Sequence, residues 1–208
     1  MKHNLTSIHP SIHPVIHTSA AAVLAAATLL LSACAGTAPT MKPMMATPMQ
    51  TAQSAAAMNA SLPEAVRVPA GQKFMMTSRG VGELTYECRA KKDMAAQFEW
   101  AFVGPVATLM NADRKVIGKY YAGPTWEAMD GSKVSGKQVA VAPAAPGSIP
   151  LQLVKADPAV GLGAMNGVSF IQRVNTQGGV APTAVCDAGS VSRRMTVAYE
   201  ADYVFYGM

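Results

Sequence analysis

The sequence predicts an all-β fold, a single antiparallel β-sandwich or barrel-like domain over residues 62–208. Apolar and polar residues alternate along several short segments, which is the period of a half-buried strand. Gly, Pro and Asp clusters separate these segments as turn signals. The same region has no convincing amphipathic helical pattern, which argues against a mixed fold.

The N-terminal residues have the pattern of a signal peptide. Residues 20–31 form a continuous apolar run after Lys2 and a polar stretch. This run is shorter than the roughly 20 apolar residues that a helix needs to cross a bilayer, so it is not a permanent anchor. Residues 31–34, Leu-Ser-Ala-Cys, then resemble the lipobox of bacterial lipoproteins. We therefore expect cleavage before Cys34 and removal of residues 1–33.

Lipidation of Cys34 would attach the mature chain to membrane lipid. Each buried CH₂ of an acyl chain contributes about 0.8 kcal/mol, so several chains give a stable anchor. Ala35 stands where an inner-membrane retention signal usually has Asp. By analogy with bacterial lipoproteins, we predict an exported protein that is sorted to the outer membrane.

Residues 34–61 have the composition of a flexible, disordered tether. They are rich in Ala, Thr, Pro, Gln and Met, with a single charge at Lys42 and no periodic apolar face. The methionines at positions 41, 44, 45 and 49 raise the alternative of Cu(I) capture through thioether sulfur. Drift of composition in an unstructured segment is the favoured explanation, and we predict neither a metal site nor a cofactor.

The strands are expected where the alternation is clearest. At the C-terminal end, Met195, Val197, Tyr199, Ala201, Tyr203 and Phe205 share one face, and Thr196, Glu200 and Asp202 share the other. Further β-rich runs lie at residues 84–88, 98–102, 115–121, 134–141, 151–154 and 168–174.

Cys88 and Cys186 are the two cysteines that remain in the exported part once Cys34 is assigned to lipid. An oxidising compartment permits a disulfide between them, and a loop of about 100 residues would gain up to about 4.7 kcal/mol. A reactive pair or a metal site is the alternative. It is disfavoured because the cysteines are far apart in sequence and no histidine lies near them.

All four histidines precede the predicted cleavage point, so the mature chain has none. This excludes Ser-His-Asp and Cys-His mechanisms and metal sites built on imidazole. The formal net charge of +5 is modest and scattered, which predicts no nucleic-acid partner. Residues 161–163, Gly-Leu-Gly, lack the strand, turn and helix context of a dinucleotide site.

The segment AGPTWEAMDGS, residues 122–132, is the best candidate for a functional site. In the favoured structural interpretation, Trp126 lies in the core and Asp130 hydrogen-bonds its own backbone in a turn. In the functional one, Trp126 forms an aromatic platform with Tyr120 or Tyr121, and the carboxylates bind sugar hydroxyls or a cation. A glycosidase with Glu127 and Asp130 across a cleft is a third interpretation.

A second candidate segment runs from Arg173 through Asn175 to residue 179. Its glycines indicate a β-turn first and a ligand loop second. Arg173 is interpreted as a surface charge first and as an anion clamp second. The candidate ligand-binding residues are therefore Trp126, Glu127, Asp130, Ser132, Tyr120, Tyr121, Arg173 and Asn175.

Several motifs occur together and in order. They are YEC at residues 86–88, WAF at 100–102, AGPTWEAMDGS at 122–132, IQRVNTQGG at 171–179 and YEADYVFY at 199–206. This set resembles a family of secreted bacterial and fungal proteins catalogued as domain of unknown function 3455. The resemblance covers nearly all of residues 62–208 and implies no established activity.

Together these features predict an envelope lipoprotein whose β-domain binds a glycan or another envelope component, or has a structural role. Two alternatives stay open. One is a histidine-free hydrolase that uses Glu127 and Asp130, and the other is a protein that docks an envelope partner. No catalytic residue is assigned.

Overall fold

The computed structural model describes residues 48–208, where eight antiparallel strands close into a barrel. The strands are β1 (Lys73–Lys91), β2 (Met94–Met110), β3 (Val116–Tyr121), β4 (Thr125–Ala128), β5 (Lys133–Ala142), β6 (Leu151–Ala156), β7 (Val168–Gly178) and β8 (Arg194–Gly207). Each strand pairs with the next one along the chain, and β8 pairs with β1. The all-β prediction is confirmed, and of its two forms the closed barrel is the one observed.

Period-two alternation determines which side chains fill the barrel. Along β8, Tyr199, Ala201, Tyr203 and Phe205 lie in the interior core, as the sequence pattern predicts. The other face of the same strand is polar at Glu200 but becomes apolar towards the C-terminus. Its apolar residues are buried as well, because a second layer covers the barrel there.

That second layer lies against the outer face of β5 to β8. A 3₁₀ turn, Glu64–Val66, places Val66 over the sheet, where it packs in an outer core with Leu153, Val174 and Val204. An antiparallel sheet usually has one face in water. Here part of the outer face is covered too, so β6 to β8 carry apolar residues on both faces.

Residues 48–61 form a helix, α1 (Pro48–Ser61), where the sequence analysis predicts a flexible spacer. Alanine has the highest helix propensity, and docking on the barrel supplies the rest of the stability. Asn59 Oδ1 accepts hydrogen bonds from the Val68 backbone N–H at 2.9 Å and from Gln172 Nε2 at 2.8 Å. Within residues 48–208 no helix is long and apolar enough to cross a membrane. The predicted signal peptide, Cys34 and residues 34–47 lie outside the described residues.

Cys88 and Cys186 form the predicted disulfide, with their Cα atoms 5.5 Å apart. The bridge joins β1 to the long connection between β7 and β8. Trp100 Nε1 on β2 donates a hydrogen bond to the Ala184 carbonyl of the same connection at 2.8 Å. The connection is therefore fastened to two neighbouring strands.

Candidate functional site

Trp126 lies in the interior of the barrel and has no exposed surface. Its ring stacks on Tyr120 with a centroid distance of 4.8 Å and meets Tyr203 edge-on at 5.6 Å. Phe205 completes this aromatic cluster at 6.4 Å. The placement agrees with the core interpretation and argues against an open aromatic platform at Trp126.

Glu127 and Tyr121 lie on the outer face of the barrel, because Trp126 and Ala128 take the inward positions of β4. The Tyr121 hydroxyl donates a hydrogen bond to Glu127 Oε2 at 2.7 Å, and Lys119 Nζ lies 3.1 Å from Glu127 Oε1. The Tyr121 and Lys119 hydrogen bonds lower the pKa of Glu127. The hydrogen bond between Tyr121 and Glu127 also raises the pKa of Tyr121. Glu127 is thus a surface carboxylate with its partners in place.

Asp130 and Ser132 fasten a loop over one end of the barrel. Asp130 Oδ1 accepts from the Ser132 hydroxyl at 2.6 Å and its backbone N–H at 2.9 Å. Asp130 Oδ2 accepts from the Ala164 N–H at 2.8 Å, and Ser132 Oγ accepts from the Met165 N–H at 3.1 Å. We call residues 161–167 the plug loop, because this network holds Met165 buried in the barrel end.

The carboxylate pair has properties that do not suit a glycosidase. The general acid of such an enzyme has a raised pKa. The pKa of Asp130 is lowered, first by the Ser132 hydroxyl and then by backbone N–H groups, and that of Glu127 is lowered as well. Glu127 faces the outer surface while Asp130 binds the plug loop, so the two have separate structural partners.

Asn175 and Arg173 lie on β7 and are directed to different places. Asn175 has a φ of 49° in the irregular stretch between Val174 and Gln177, and its Nδ2 donates to Asp202 Oδ2 at 2.8 Å. Arg173 shares the inward face of β7 with Ile171, which belongs to the interior core. Arg173 therefore points into the barrel and is not the surface charge that the sequence favours.

Arg173 and Tyr120 meet in a cavity of about 410 Å³ at the barrel end opposite the plug loop. We call this cavity the arginine pocket. Its lining side chains include Phe102, Tyr120, Lys137, Gln138, Gln152 and Arg173. Gln152 Nε2 donates to Gln138 Oε1 at 2.6 Å, so the two amides already face each other.

The charge of Arg173 is not neutralised by the described part of the chain. Arg173 donates from Nε and Nη2 to the Pro150 carbonyl at 3.3 and 2.9 Å, and within residues 48–208 it forms no ion pair. Arg79, by comparison, is paired with Glu200 and Asp202. A half-buried guanidinium without a carboxylate leaves the arginine pocket positive.

Several tyrosines in the barrel interior lie near Arg173. Burial raises the pKa of Tyr120, Tyr199 and Tyr203, and the nearby Arg173 guanidinium opposes that rise. The Tyr199 and Tyr203 hydroxyls are 3.1 Å apart, and Tyr86 donates to the Gly179 carbonyl at 2.7 Å. At neutral pH these phenols are protonated, so they act as neutral hydrogen-bonding groups.

A family model described as "Protein of unknown function (DUF3455)" matches residues 69–207. The chain belongs to this family. No curated protein and no solved structure matches it. The match confirms the resemblance and includes both the arginine pocket and the plug loop of the DUF3455 domain. Within residues 48–208 the domain has no group of three or more His, Cys, Asp or Glu side chains placed to hold a metal ion.

Sequence reasoning missed Gln138, Gln152, Lys137 and Phe102 as pocket residues. A glutamine in an alternating strand is normally assigned to the solvent face. Gln138 nevertheless pairs with inward-facing Val154 and lies four residues after inward-facing Val134 on the same strand. The alternation of strand residues could have revealed these positions, because residues two apart lie on the same face of a strand. Gln152 precedes inward-facing Val154 by two residues, and Arg173 follows inward-facing Ile171 by two.

Proposed function

We propose that the DUF3455 domain is a binding module whose arginine pocket takes an acidic saccharide of the cell envelope. The observation that carries the proposal is the half-buried Arg173, whose charge has no carboxylate partner within residues 48–208. A guanidinium presents a planar set of N–H donors that matches a carboxylate. A ligand carboxylate would supply the missing negative charge.

The other groups of the arginine pocket suit a hydroxylated ring. Gln138 and Gln152 offer amide donors and acceptors, and Tyr120 adds a phenol. Phe102 is 54% exposed at the rim, where its ring is available to the C–H face of a sugar. The volume of about 410 Å³ is within the usual range of small-ligand sites, about 300–1,000 Å³.

Binding is favoured over catalysis by the chemistry of these residues. The arginine pocket is lined by amides, phenol and cations, and no carboxylate, cysteine or histidine is among its lining residues within residues 48–208. The Tyr120 phenol has a raised pKa and is therefore a poor base or nucleophile at neutral pH. Such a lining can recognise an anion but has no general acid–base pair.

Calorimetric titration with matched acidic and neutral oligosaccharides, such as uronic-acid oligomers and their neutral counterparts, tests this proposal. Acidic oligomers should bind, and neutral ones should bind at least about tenfold more weakly. Arg173→Gln should weaken acidic binding by about 1.5–3 kcal/mol, or roughly 10- to 150-fold in Kd. Arg173→Lys should retain part of the affinity, because the charge stays while the planar donors are lost.

Arg114→Gln is the matched control, because it removes the same charge from the exposed β2–β3 turn at the other end of the barrel. It should leave binding unchanged. Equal affinity for acidic and neutral oligomers, or equal losses in the two arginine variants, would contradict a specific site at Arg173.

We further propose that the domain works at a membrane surface, held by lipid on Cys34. The support is the sequence of residues 20–34. Cys34→Ser should move the protein from the membrane fraction to the soluble fraction and abolish labelling by radioactive palmitate. Unchanged fractionation and labelling would refute the anchor.

A further inference from the structure

A second cavity of about 210 Å³ lies at the plug-loop end of the barrel, away from Arg173. Its lining is almost wholly apolar and consists of Met76, Ser78, Leu109, Ile117, Ala128, Ala164, Met165 and Phe205. Apolar cavities of about 150 Å³ in proteins stay dry and take up benzene-sized molecules. This apolar cavity therefore has room for a molecule somewhat larger than benzene.

Ser78 is the exception in this lining. The residue is 1% exposed, and its Oγ has no hydrogen-bond partner among the described residues. A buried hydroxyl without a partner is unfavourable, since it has lost its contacts with water. A water molecule needs two to four polar partners to be held in such a place, and the other lining side chains provide none. The hydroxyl is thus available to a ligand that brings one polar atom.

The plug loop forms one wall of the apolar cavity through Ala164 and Met165. It lies outside the barrel sheet, and Gly161, Gly163 and Gly167 all have positive φ values. The hydrogen bonds from Ala164 to Asp130 and from Met165 to Ser132 fasten it. A loop that is held by a few side-chain contacts opens at lower free energy than a strand of the sheet.

We propose that the apolar cavity binds an uncharged, roughly benzene-sized molecule with one hydroxyl or carbonyl oxygen, and that the plug loop is its gate. Ser78 Oγ hydrogen-bonds that oxygen, and the apolar walls take the hydrocarbon part. Asp130 positions the gate and does not contact the ligand. This assigns a role to Asp130 and Ser132 that is separate from the arginine pocket, so the inference does not depend on the proposed saccharide site.

The probes are 4-fluorophenol and 4-fluorotoluene, which differ in one hydroxyl and are followed by ¹⁹F NMR with the purified full chain. Both should bind, because both match the apolar cavity. In Ser78→Ala the affinity for 4-fluorophenol relative to 4-fluorotoluene should fall about tenfold, the usual size of one lost hydrogen bond to a buried group. Ser190→Ala, which changes a half-buried serine that is hydrogen-bonded to Asp187 and does not line the apolar cavity, should leave that ratio unchanged.

The gate is tested by exchange rates. In Asp130→Ala the association and dissociation rates of 4-fluorotoluene should rise by similar factors while its Kd changes less than about threefold, because the wall loses its fastening but the cavity keeps its lining. Absence of binding by either probe at millimolar concentration would overturn the site. An unchanged affinity ratio in Ser78→Ala would overturn the role of Ser78, and unchanged exchange rates in Asp130→Ala would overturn the gate.

Discussion

Replacing Trp126 with alanine separates a core residue from a ligand platform. Trp126 is fully buried and touches Tyr120, Tyr203 and Phe205. Truncation of a buried tryptophan to alanine costs about 3–5 kcal/mol. Trp126 Nε1 has no hydrogen-bond partner among the described residues, so its removal returns part of that cost. We therefore expect a loss near the lower end, about 3 kcal/mol.

Urea unfolding followed by far-UV circular dichroism, with the disulfide intact, measures this loss. About 3 kcal/mol is a large fraction of the 5–15 kcal/mol that stabilise a typical domain. It corresponds to a fall in Tm of roughly 6–12 °C for a domain of this size. Met129→Ala, in the same segment and 73% exposed, is the control and should change stability by less than about 0.5 kcal/mol.

The refuting result is specific. If Trp126→Ala kept its stability within about 1 kcal/mol and yet lost binding of acidic oligosaccharides, Trp126 would be a contact residue and the core assignment would fail. Loss of stability and of binding together is what the structure predicts, because the Tyr120 ring rests on Trp126 and also lines the arginine pocket.

Two further predictions concern the disulfide and the tyrosines. Replacing Cys88 and Cys186 with serine should lower the free energy of unfolding by about 2–5 kcal/mol, since the bridge spans a sequence separation of 98; a urea titration showing less than about 1 kcal/mol would contradict a stabilising role. All six tyrosines have pKa values above the usual value for tyrosine. The chief cause for Tyr121 is its hydrogen bond to Glu127. The chief cause for the other five is burial, and these are Tyr86, Tyr120, Tyr199, Tyr203 and Tyr206. Above about pH 10 the folded protein therefore holds more protons than the unfolded chain. The protonated tyrosines contribute fully to the free energy of unfolding below that pH, and their contribution is lost as the pH rises through the pKa values of the folded state. Tyrosinate absorbance should appear at higher pH in buffer than in denaturant, and coincident titrations would refute the burial of these phenols.

Much of the fold was predictable because strands are indicated by a local pattern, the alternation of apolar and polar residues. The alternation in β8 identified Tyr199, Tyr203 and Phe205 as one buried face, and the structure places them in the barrel core. The choice between sandwich and barrel was not predictable, because closure depends on pairing between β1 and β8, which are far apart in sequence. Helix α1 was missed because its apolar residues are mainly alanines, and Asn59 fixes it through distant contacts with Val68 and Gln172.

The candidate site was predictable only in part. Sequence proximity suggested that Trp126, Glu127 and Asp130 form one site. Alternation in β4 instead directs Trp126 inward and Glu127 outward. Asp130 lies in the turn after β4, where it accepts a hydrogen bond from the plug loop. Tyr120 and Arg173 were among the candidates, yet no local signal joins them. They share a pocket because β3 and β7 belong to one closed barrel.

The most direct test of the arginine pocket follows its own side-chain resonances during titration with an acidic oligosaccharide. The Nε–H signal of Arg173 and the Nε2 signals of Gln152 should shift with the same saturation curve, because both side chains line the pocket. The Nε–H signal of Arg114 at the opposite end should stay in place. Saturable binding that shifts Arg114 or other surface groups while Arg173 and Gln152 remain unchanged would contradict the account.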